Sequence, residues 1–312
     1  MPVRSAVPPP DPALRTQARR LRKSAQLADR HLGPGHPESI KIRHELANVY
    51  QALGRLPQAR EEFSRVLQSI ERTLGPDNAN TLLVRSNLYG VVQLLGDHRT
   101  AIAEFQTLLE HARRVLGPGD STTLAVANNL AFARYAAGDP AGAIQIYEQW
   151  LDLFFQLPGL DPALALPVVR QLALIRQEIG DLPLAVVDYY ASVQLHVQVL
   201  GPMHVDTVIE QSYLAEVLLM AGRTDEAIAA WQAALAASEQ AFGPDHDHTL
   251  GARQSLAEAF VVANRFDEAI DTHHRAALDS IRVYGERSSV ARAAEEALRA
   301  TLSRKLAAQH GR

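Results

Sequence analysis

The chain of 312 residues contains no cysteine. That absence excludes disulfides, thiolate catalysis and cysteine-ligated zinc. An excess of positive charge is also missing: 31 basic side chains face 35 acidic ones, for a net charge of −4. Without a basic surplus to release counterions from phosphates, a nucleic-acid partner is not expected. No apolar run reaches the roughly 18 residues of a membrane span. The opening MPVRSAVPPPDPALR is proline-rich, and it lacks the apolar core of a signal peptide. Lysine occurs only at positions 23, 41 and 305, while arginine is plentiful. That bias suggests a GC-rich coding sequence and a bacterial source. Together these absences lead us to expect a soluble, cytoplasmic protein with neither membrane nor nucleic acid as its target.

What the sequence does have is a repeat. Glycines at 33, 75, 117, 159, 201, 243 and 285 recur at one constant step, without drift. A second column, Gly54, Gly96, Gly138, Gly180 and Gly222, keeps the same step and ends on Asn264. Alanine recurs at 59, 101, 143, 185, 227 and 269, and leucine at 46, 88, 130, 172, 214 and 256. A ring follows each alanine one helical turn on: Phe63, Phe105, Tyr147, Tyr189 and Trp231, with His273 as the exception.

Each period reads as two amphipathic helices. In the first, Ile40, Leu46, Val49, Tyr50 and Leu53 share one helical face, and Leu56, Ala59, Phe63, Val66, Leu67, Ile70 and Leu74 share another. Both glycine columns sit where a helix ends. Proline follows the closing glycine at 34, 76, 118, 202 and 244, and polar clusters at Asn78–Thr81, Asp120–Thr123, Asp206–Thr207 and Asp247–Thr249 are suited to start the next helix. Small Ala59 and its equivalents allow close helix approach, and the ring fills the groove alongside. One such hairpin buries too little apolar surface to stand alone, so the copies are expected to stack into a solenoid.

These columns resemble the 42-residue tetratricopeptide repeat of the kinesin light chain type. The best copies are LGPDNANTLLVRSNLYGVVQLLGDHRTAIAEF and LGPGDSTTLAVANNLAFARYAAGDPAGAIQIY, and the resemblance covers about residues 33 to 285. It implies an all-α, right-handed α-solenoid of helix hairpins. Six full repeats are expected, at about 33–74, 75–116, 117–158, 159–200, 201–242 and 243–284. A leading half repeat precedes them and a charged capping helix at 288–308 follows, making a single domain over 12–312 after a disordered proline-rich stretch, 1–11. The fourth repeat departs from pattern at Leu157-Pro158-Gly159-Leu160-Asp161-Pro162 and at Pro167. An altered first turn, or a local change of superhelix geometry, is expected there.

The resemblance implies function on a concave groove lined by the first helix of each pair. Arg43, His44, Asn48, Arg85, Asn87, Asn128, Asn129, Phe132, Tyr135, Arg170, Gln171, Gln177, Tyr213 and Glu216 are the candidate peptide-binding residues. Their columns vary between repeats while the packing columns do not. Amides at regular spacing suit a peptide backbone, and arginines suit carboxylates, so a protein or peptide with an acidic segment is the expected partner. The plainer role for Asn128 and Asn129 is to cap or bridge neighbouring helices. Capture of a C-terminal carboxylate, which the resemblance would place at His44, Asn48 and Asn87, lacks its lysines here.

Catalytic motifs stop short. His44-Glu45-Leu46-Ala47-Asn48 begins like an HExxH zinc helix but has Asn48 where the second histidine is required. Gly117-Pro118-Gly119-Asp120-Ser121-Thr122 lacks the lysine of a phosphate loop. His246-Asp247-His248 falls in the column that starts helices, and His273-His274 has no carboxylate at ligand spacing. The expectation is a non-catalytic scaffold or adaptor, without cofactor or metal. The alternatives are a ligand-sensing module acting on a separate effector, or an enzyme or small-molecule binder with a pocket near Phe132, Tyr135, Arg170 and Arg176. Self-association through the end helices, of which the first is basic (Arg15, Arg19, Arg20, Arg22, Lys23), is a further expectation.

Overall fold

A computed structural model describes residues 12–310. The stretch 1–11, expected to be disordered, lies outside the described residues. Fourteen α-helices follow one another, and no strand occurs among the described residues. They are α1 (Pro12–His31), α2 (Pro37–Ala52), α3 (Leu56–Leu74), α4 (Ala79–Leu94), α5 (His98–Val115), α6 (Ser121–Ala136) and α7 (Pro140–Gln156), then α8 (Leu166–Glu178), α9 (Leu182–Leu200), α10 (Val205–Met220), α11 (Thr224–Phe242), α12 (Asp247–Val262), α13 (Phe266–Tyr284) and α14 (Ser289–His310). Two compact units result, divided between Leu160 and Asp161. The first holds α1 to α7 and the second α8 to α14.

Within each unit every helix packs mainly on its neighbours in sequence, and first helices also touch across repeats, as α4 does α6 and α10 does α12. This is an α-solenoid arrangement: each hairpin completes its core on the next. The alanine column is fully buried at all six positions. The rings Phe63, Phe105, Tyr147 and Tyr189 are sealed, and so is His273, which takes the ring's place in the last hairpin.

Local chemistry sets the helix ends. Gly75 closes α3 at φ 86° and ψ 165°, a conformation that would strain a residue carrying Cβ. In the mid-repeat column Asn264 takes the left-handed conformation at φ 58°, the one positive φ outside glycine among the described residues. First helices start on a side-chain cap that accepts from the N–H two positions further on. Asp120 accepts from the Thr122 N–H at 2.8 Å and Asn78 from Asn80 at 3.0 Å. In the first, fifth and sixth repeats the cap is a histidine, with the Nδ1 of His36, His204 and His246 accepting at 3.2 Å. Asp206 and Asp247 therefore sit inside their helices, just past the cap. A second latch recurs one turn on: the hydroxyls of Thr81, Thr207 and Thr249 donate to the carbonyls of Gly75, Gly201 and Gly243, each at 2.8 Å.

The fourth repeat does have an altered first turn. Pro162–Ala165 forms a 3-10 turn capped by Asp161, and α8 begins only at Leu166, with Pro167 in its first turn. That leaves α8 with 13 residues where the other first helices of the repeats have 16. A proline is accepted there because first-turn N–H groups have no helical partner. The closing helix α14 spans 22 residues and buries Ala291, Ala294 and Thr301 against the stack.

Candidate functional site

In the first unit, the inner faces of α2, α4 and α6 carry a ladder of polar contacts. The amide nitrogen of Asn48 lies 3.4 Å from Nδ1 of His44, one turn away. The amide nitrogen of Asn87 lies 3.2 Å from Nε2 of the same ring, joining α4 to α2. A neutral imidazole has one donor and one acceptor, so one of these amides must turn its oxygen to the ring N–H. The ring packs edge-on against Phe63, at 5.6 Å between centroids. Burial holds His44 below the usual histidine range, partly offset by the charge of Glu45. One repeat later Asn129 donates to the hydroxyl of Ser86 at 2.9 Å, joining α6 to α4. Both inter-helix contacts link positions 43 apart, so they are rungs of one ladder. Asn129 thus bridges neighbouring helices, as its plainer role required. Asn128 is half-buried, and its Oδ1 is sealed from solvent without a hydrogen-bond partner. Phe132 is exposed and Tyr135 half-buried on α6.

Beside His44 a cleft of about 560 Å³ opens between α2 and α4. Its walls are apolar, formed by Ile40, Val66, Ile70 and Leu83, and Lys41 and Asn80 stand at the rim. The equivalent cleft of the sixth repeat lies between α12 and α14, at about 630 Å³, where Leu250 keeps the place of Ile40 but Ala276, Ser280 and Ala293 replace Val66, Ile70 and Leu83, and Gly251 replaces Lys41.

Arg43 and Arg85 do not reach this inner face. Arg43 is tied to Asp29 of α1 and, at 2.5 Å, to Glu62 of α3, with its side chain 11% exposed. Arg85 pairs with Glu71 of α3 at 2.6 Å. Arg253 repeats the pattern, with Glu239 at 2.6 Å and Asp279 as a second partner. Asp29, Glu71 and Glu239 each precede their arginine by the same interval of 14 positions. Where the arginine is lost the acid is lost too: Ala127 follows Arg113, and Gln211 follows Val197. These arginines fasten a first helix to the second helix before it, and their charge is already neutralised. Lys41 is left as the cation at the first-repeat cleft.

The second unit places a different chemistry at the same structural position. Arg170 on α8, Ser192 and His196 on α9 and Glu210 on α10 are the fourth-repeat equivalents of His44, Val66, Ile70 and Val84. Glu210 is fully buried. It accepts from Arg170 Nε, and from the Ser192 hydroxyl at 2.6 Å. Arg170 Nη2 also meets His196 Nε2 at 3.2 Å, while His196 Nδ1 lies 2.8 Å from the Ser192 carbonyl oxygen. The histidine therefore gives Nδ1–H to the carbonyl and accepts from the guanidinium. Ser192, His196 and Glu210 are the polar partners of Arg170 that the sequence did not single out. A signal was there: Glu210 stands in a column otherwise made of Ile42, Val84, Val126, Val168 and Ala252.

Around this network Gln177 accepts from the Tyr189 hydroxyl at 2.8 Å and points its amide at the Met220 sulfur, 3.3 Å away. Burial, followed by the negative charge of Glu210, drives the Tyr189 phenol well above its ordinary range. Tyr213 is half-buried beside Tyr189, with ring centroids 6.1 Å apart. Gln171 is half-buried, and Glu216 is exposed to solvent. His246 and His248 stack on one another beside Phe242, and His246 serves as a helix cap. Among the described residues no group of three or more His, Asp or Glu side chains converges as metal ligands would, and no helix is long and apolar enough to cross a membrane.

Stacked helix hairpins with a polar, variable inner face define a helical-repeat protein. The Tetratricopeptide repeat family model matches residues 38–89, 86–154 and 208–277. The chain belongs to that family, with repeats of 42 residues. No curated protein matches the sequence. Among solved structures the chain is similar to BtubC (BKLC) from P. vanneervenii, at 18% identity over 69% of this chain and 93% of that one, with a TM-score of 0.50. It is also similar to the Rap protein complexed with Competence and Sporulation Factor, at 15% identity over 94% and 72%, with a TM-score of 0.51. The apo form of RapI superposes with a TM-score of 0.55 at 8% identity, over 86% of this chain and 77% of that one. Identities this low establish a shared fold.

Proposed function

We propose that the chain is a non-catalytic protein- or peptide-binding scaffold acting in the cytoplasm through the inner faces of its first helices. The observation that carries this reading is the His44–Asn48–Asn87 ladder beside the apolar first-repeat cleft. Side-chain amides flanking an apolar slot suit an extended chain, because they hydrogen-bond its backbone while the slot takes a side chain. Support for an acidic partner segment narrows to Lys41, since Arg43 and Arg85 are already paired. Further support comes from the family, whose fold carries binding surfaces rather than a set catalytic centre.

The test uses the full chain as bait in a lysate of its native host, with Leu83→Glu and Asn48→Ala as paired variants. Both positions are exposed, so folding should survive. A partner retained by wild type and lost by both variants at unchanged melting temperature supports the reading. Retention by both variants would remove the first-repeat cleft from it.

A second reading, a ligand-sensing module acting on a separate effector, is favoured by the Arg170–Glu210 cluster. A small anionic ligand competing with Glu210 for the guanidinium would rearrange three helices. A thermal shift that appears with carboxylate ligands and vanishes in Arg170→Gln would support it, and a flat response across such a panel would count against it.

A further inference from the structure

The second helices present their other face outward, and there one pair differs from the rest. Three columns mark the centre of that face. In α3 they read Glu61, Arg65 and Gln68, in α5 Ala103, Thr107 and Glu110, in α7 Gln145, Gln149 and Asp152, and in α13 Asp271, Arg275 and Leu278. Each of those helices places a charge at the centre. In α9 the same columns read Val187, Ala191 and Gln194, and in α11 Ala229, Ala233 and Ala236, all exposed and none charged. The only charged residue of α9 is Asp188, which is buried and paired with Arg176 at 2.6 Å. Along α11 no charge occurs between Glu226 and Glu239.

The two helices are neighbours in the second unit, tied by the Tyr190 hydroxyl donating to Glu226 at 3.4 Å. Their shared face is shaped as well as uncharged. Leu184, Val187, Tyr190 and Val197 raise a bulky ridge along α9, with Val187 60% exposed. The alanines of α11 leave a shallow furrow beside it. Charge returns at the two ends of α11, at Glu226, paired with Arg223, and at Glu239, held from behind by the buried Arg253.

We propose that this outer face is a self-association surface, and that its occupant is the same face of a second copy of this chain. A ridge next to a furrow is self-complementary under a two-fold axis: α9 of each copy lies in the alanine furrow of the other, giving an isologous contact. Size agrees with this. Two 19-residue helices are about 28 Å long and together about 20 Å wide, so each copy offers roughly 550 Å². The pair then covers about 1,100 Å², just past the ~1,000 Å² that separates specific interfaces from chance contacts. A charge-depleted centre with a charged rim is the anatomy of such interfaces. A contiguous uncharged face of this size stands at the upper end of what a monomer exposes, the range in which such patches are often functional.

The experiment is sedimentation equilibrium of the full chain over a wide concentration range, for wild type and for Val187→Arg, Ala233→Arg, and the milder pair Gln194→Glu with Gln232→Glu. The expected result is a wild-type dimer whose dissociation constant rises about tenfold or more in each variant, because the new charges are desolvated and unpaired on association. Circular dichroism melts taken at concentrations where every variant is monomeric should be unchanged, since all four positions are exposed. Should the arginine variants lose helicity, the milder pair decides. A monomeric wild type at the highest concentration would overturn the proposal and leave the face to a different occupant. A dimer that none of the substitutions weakens would overturn it too, by placing the contact elsewhere, such as the end helices.

Discussion

At the scale of single residues, the informative positions are those where one repeat breaks a column the others keep. His273 fills the ring slot that Phe63 and Phe105 fill elsewhere, and its Nδ1 is buried without a hydrogen-bond partner. The larger apolar ring that Phe63 and Phe105 place in this slot removes that unmet polar group. His273→Phe is expected to raise stability by about 1 kcal/mol, read from chemical denaturation. Burial holds both His273 and His44 below their ordinary pKa. The unfolded chain, with histidines near ~6.5, then binds more protons than the folded one as pH falls through that value. Stability should be complete above about pH 6.5 and should decline as pH drops from there towards the lowered folded values. The double variant His44→Gln, His273→Phe is expected to flatten that decline, and an unchanged slope would assign it to other groups. Asn264 is a third exception. Asparagine tolerates the left-handed conformation better than other non-glycine residues, so Asn264→Ala should cost about 1 kcal/mol while Asn264→Gly stays near neutral.

At the scale of helices and the clefts between them, the fourth repeat replaces an apolar filling with a buried ionic one. Removing only one partner of such a pair strands the other, and Glu210→Ala is expected to cost about 3–5 kcal/mol. Exchanging the whole set is a different matter. Arg170→His, Ser192→Val, His196→Ile and Glu210→Val together reproduce the first-repeat cleft on an equivalent frame, and should be neutral or stabilising. A severe loss in the fourfold variant, matching that of Glu210→Ala, would show that the fourth-repeat frame has diverged from the first.

The same cleft shows how far sequence alone reaches. Helix order, the ends at glycine, the buried alanines and rings, and the altered first turn at Pro162 and Pro167 were legible, because each follows from a local rule applied at a fixed period. His44, Asn48 and Asn87 were also legible as a group, since alignment of the columns puts them on one face. Arg43 and Arg85 were misjudged because a neighbouring helical position points about 100° away, towards the preceding second helix. Their acids sit on that preceding helix, and are found only by comparing which repeats lose both members. The Arg170 cluster draws its side chains from three helices, α8, α9 and α10. No single-helix pattern exposes it, and only Glu210 in an apolar column hints at it.

At the scale of the whole chain, what matters is that within each unit every helix packs mainly on its neighbours in sequence. In such a stack, stability is close to a sum of hairpin terms and nearest-neighbour interface terms, so damage at one end should stay near that end. The closing helix α14 covers α13 and burial of Ala291, Ala294 and Thr301 depends on it. Ending the chain after Tyr284 would bare the surface of α12 and α13 that lines the sixth-repeat cleft. Amide hydrogen exchange should then show lost protection concentrated in α12 and α13. Protection in α3 and α4, which lie in the other compact unit, should remain at the wild-type level. The truncated chain should also melt earlier and over a broader range, because its last hairpin frays before the remainder. Uniform loss of protection along the chain would mean that the helices fold as one cooperative block. The nearest-neighbour picture would then fail, even with every helix in its expected place.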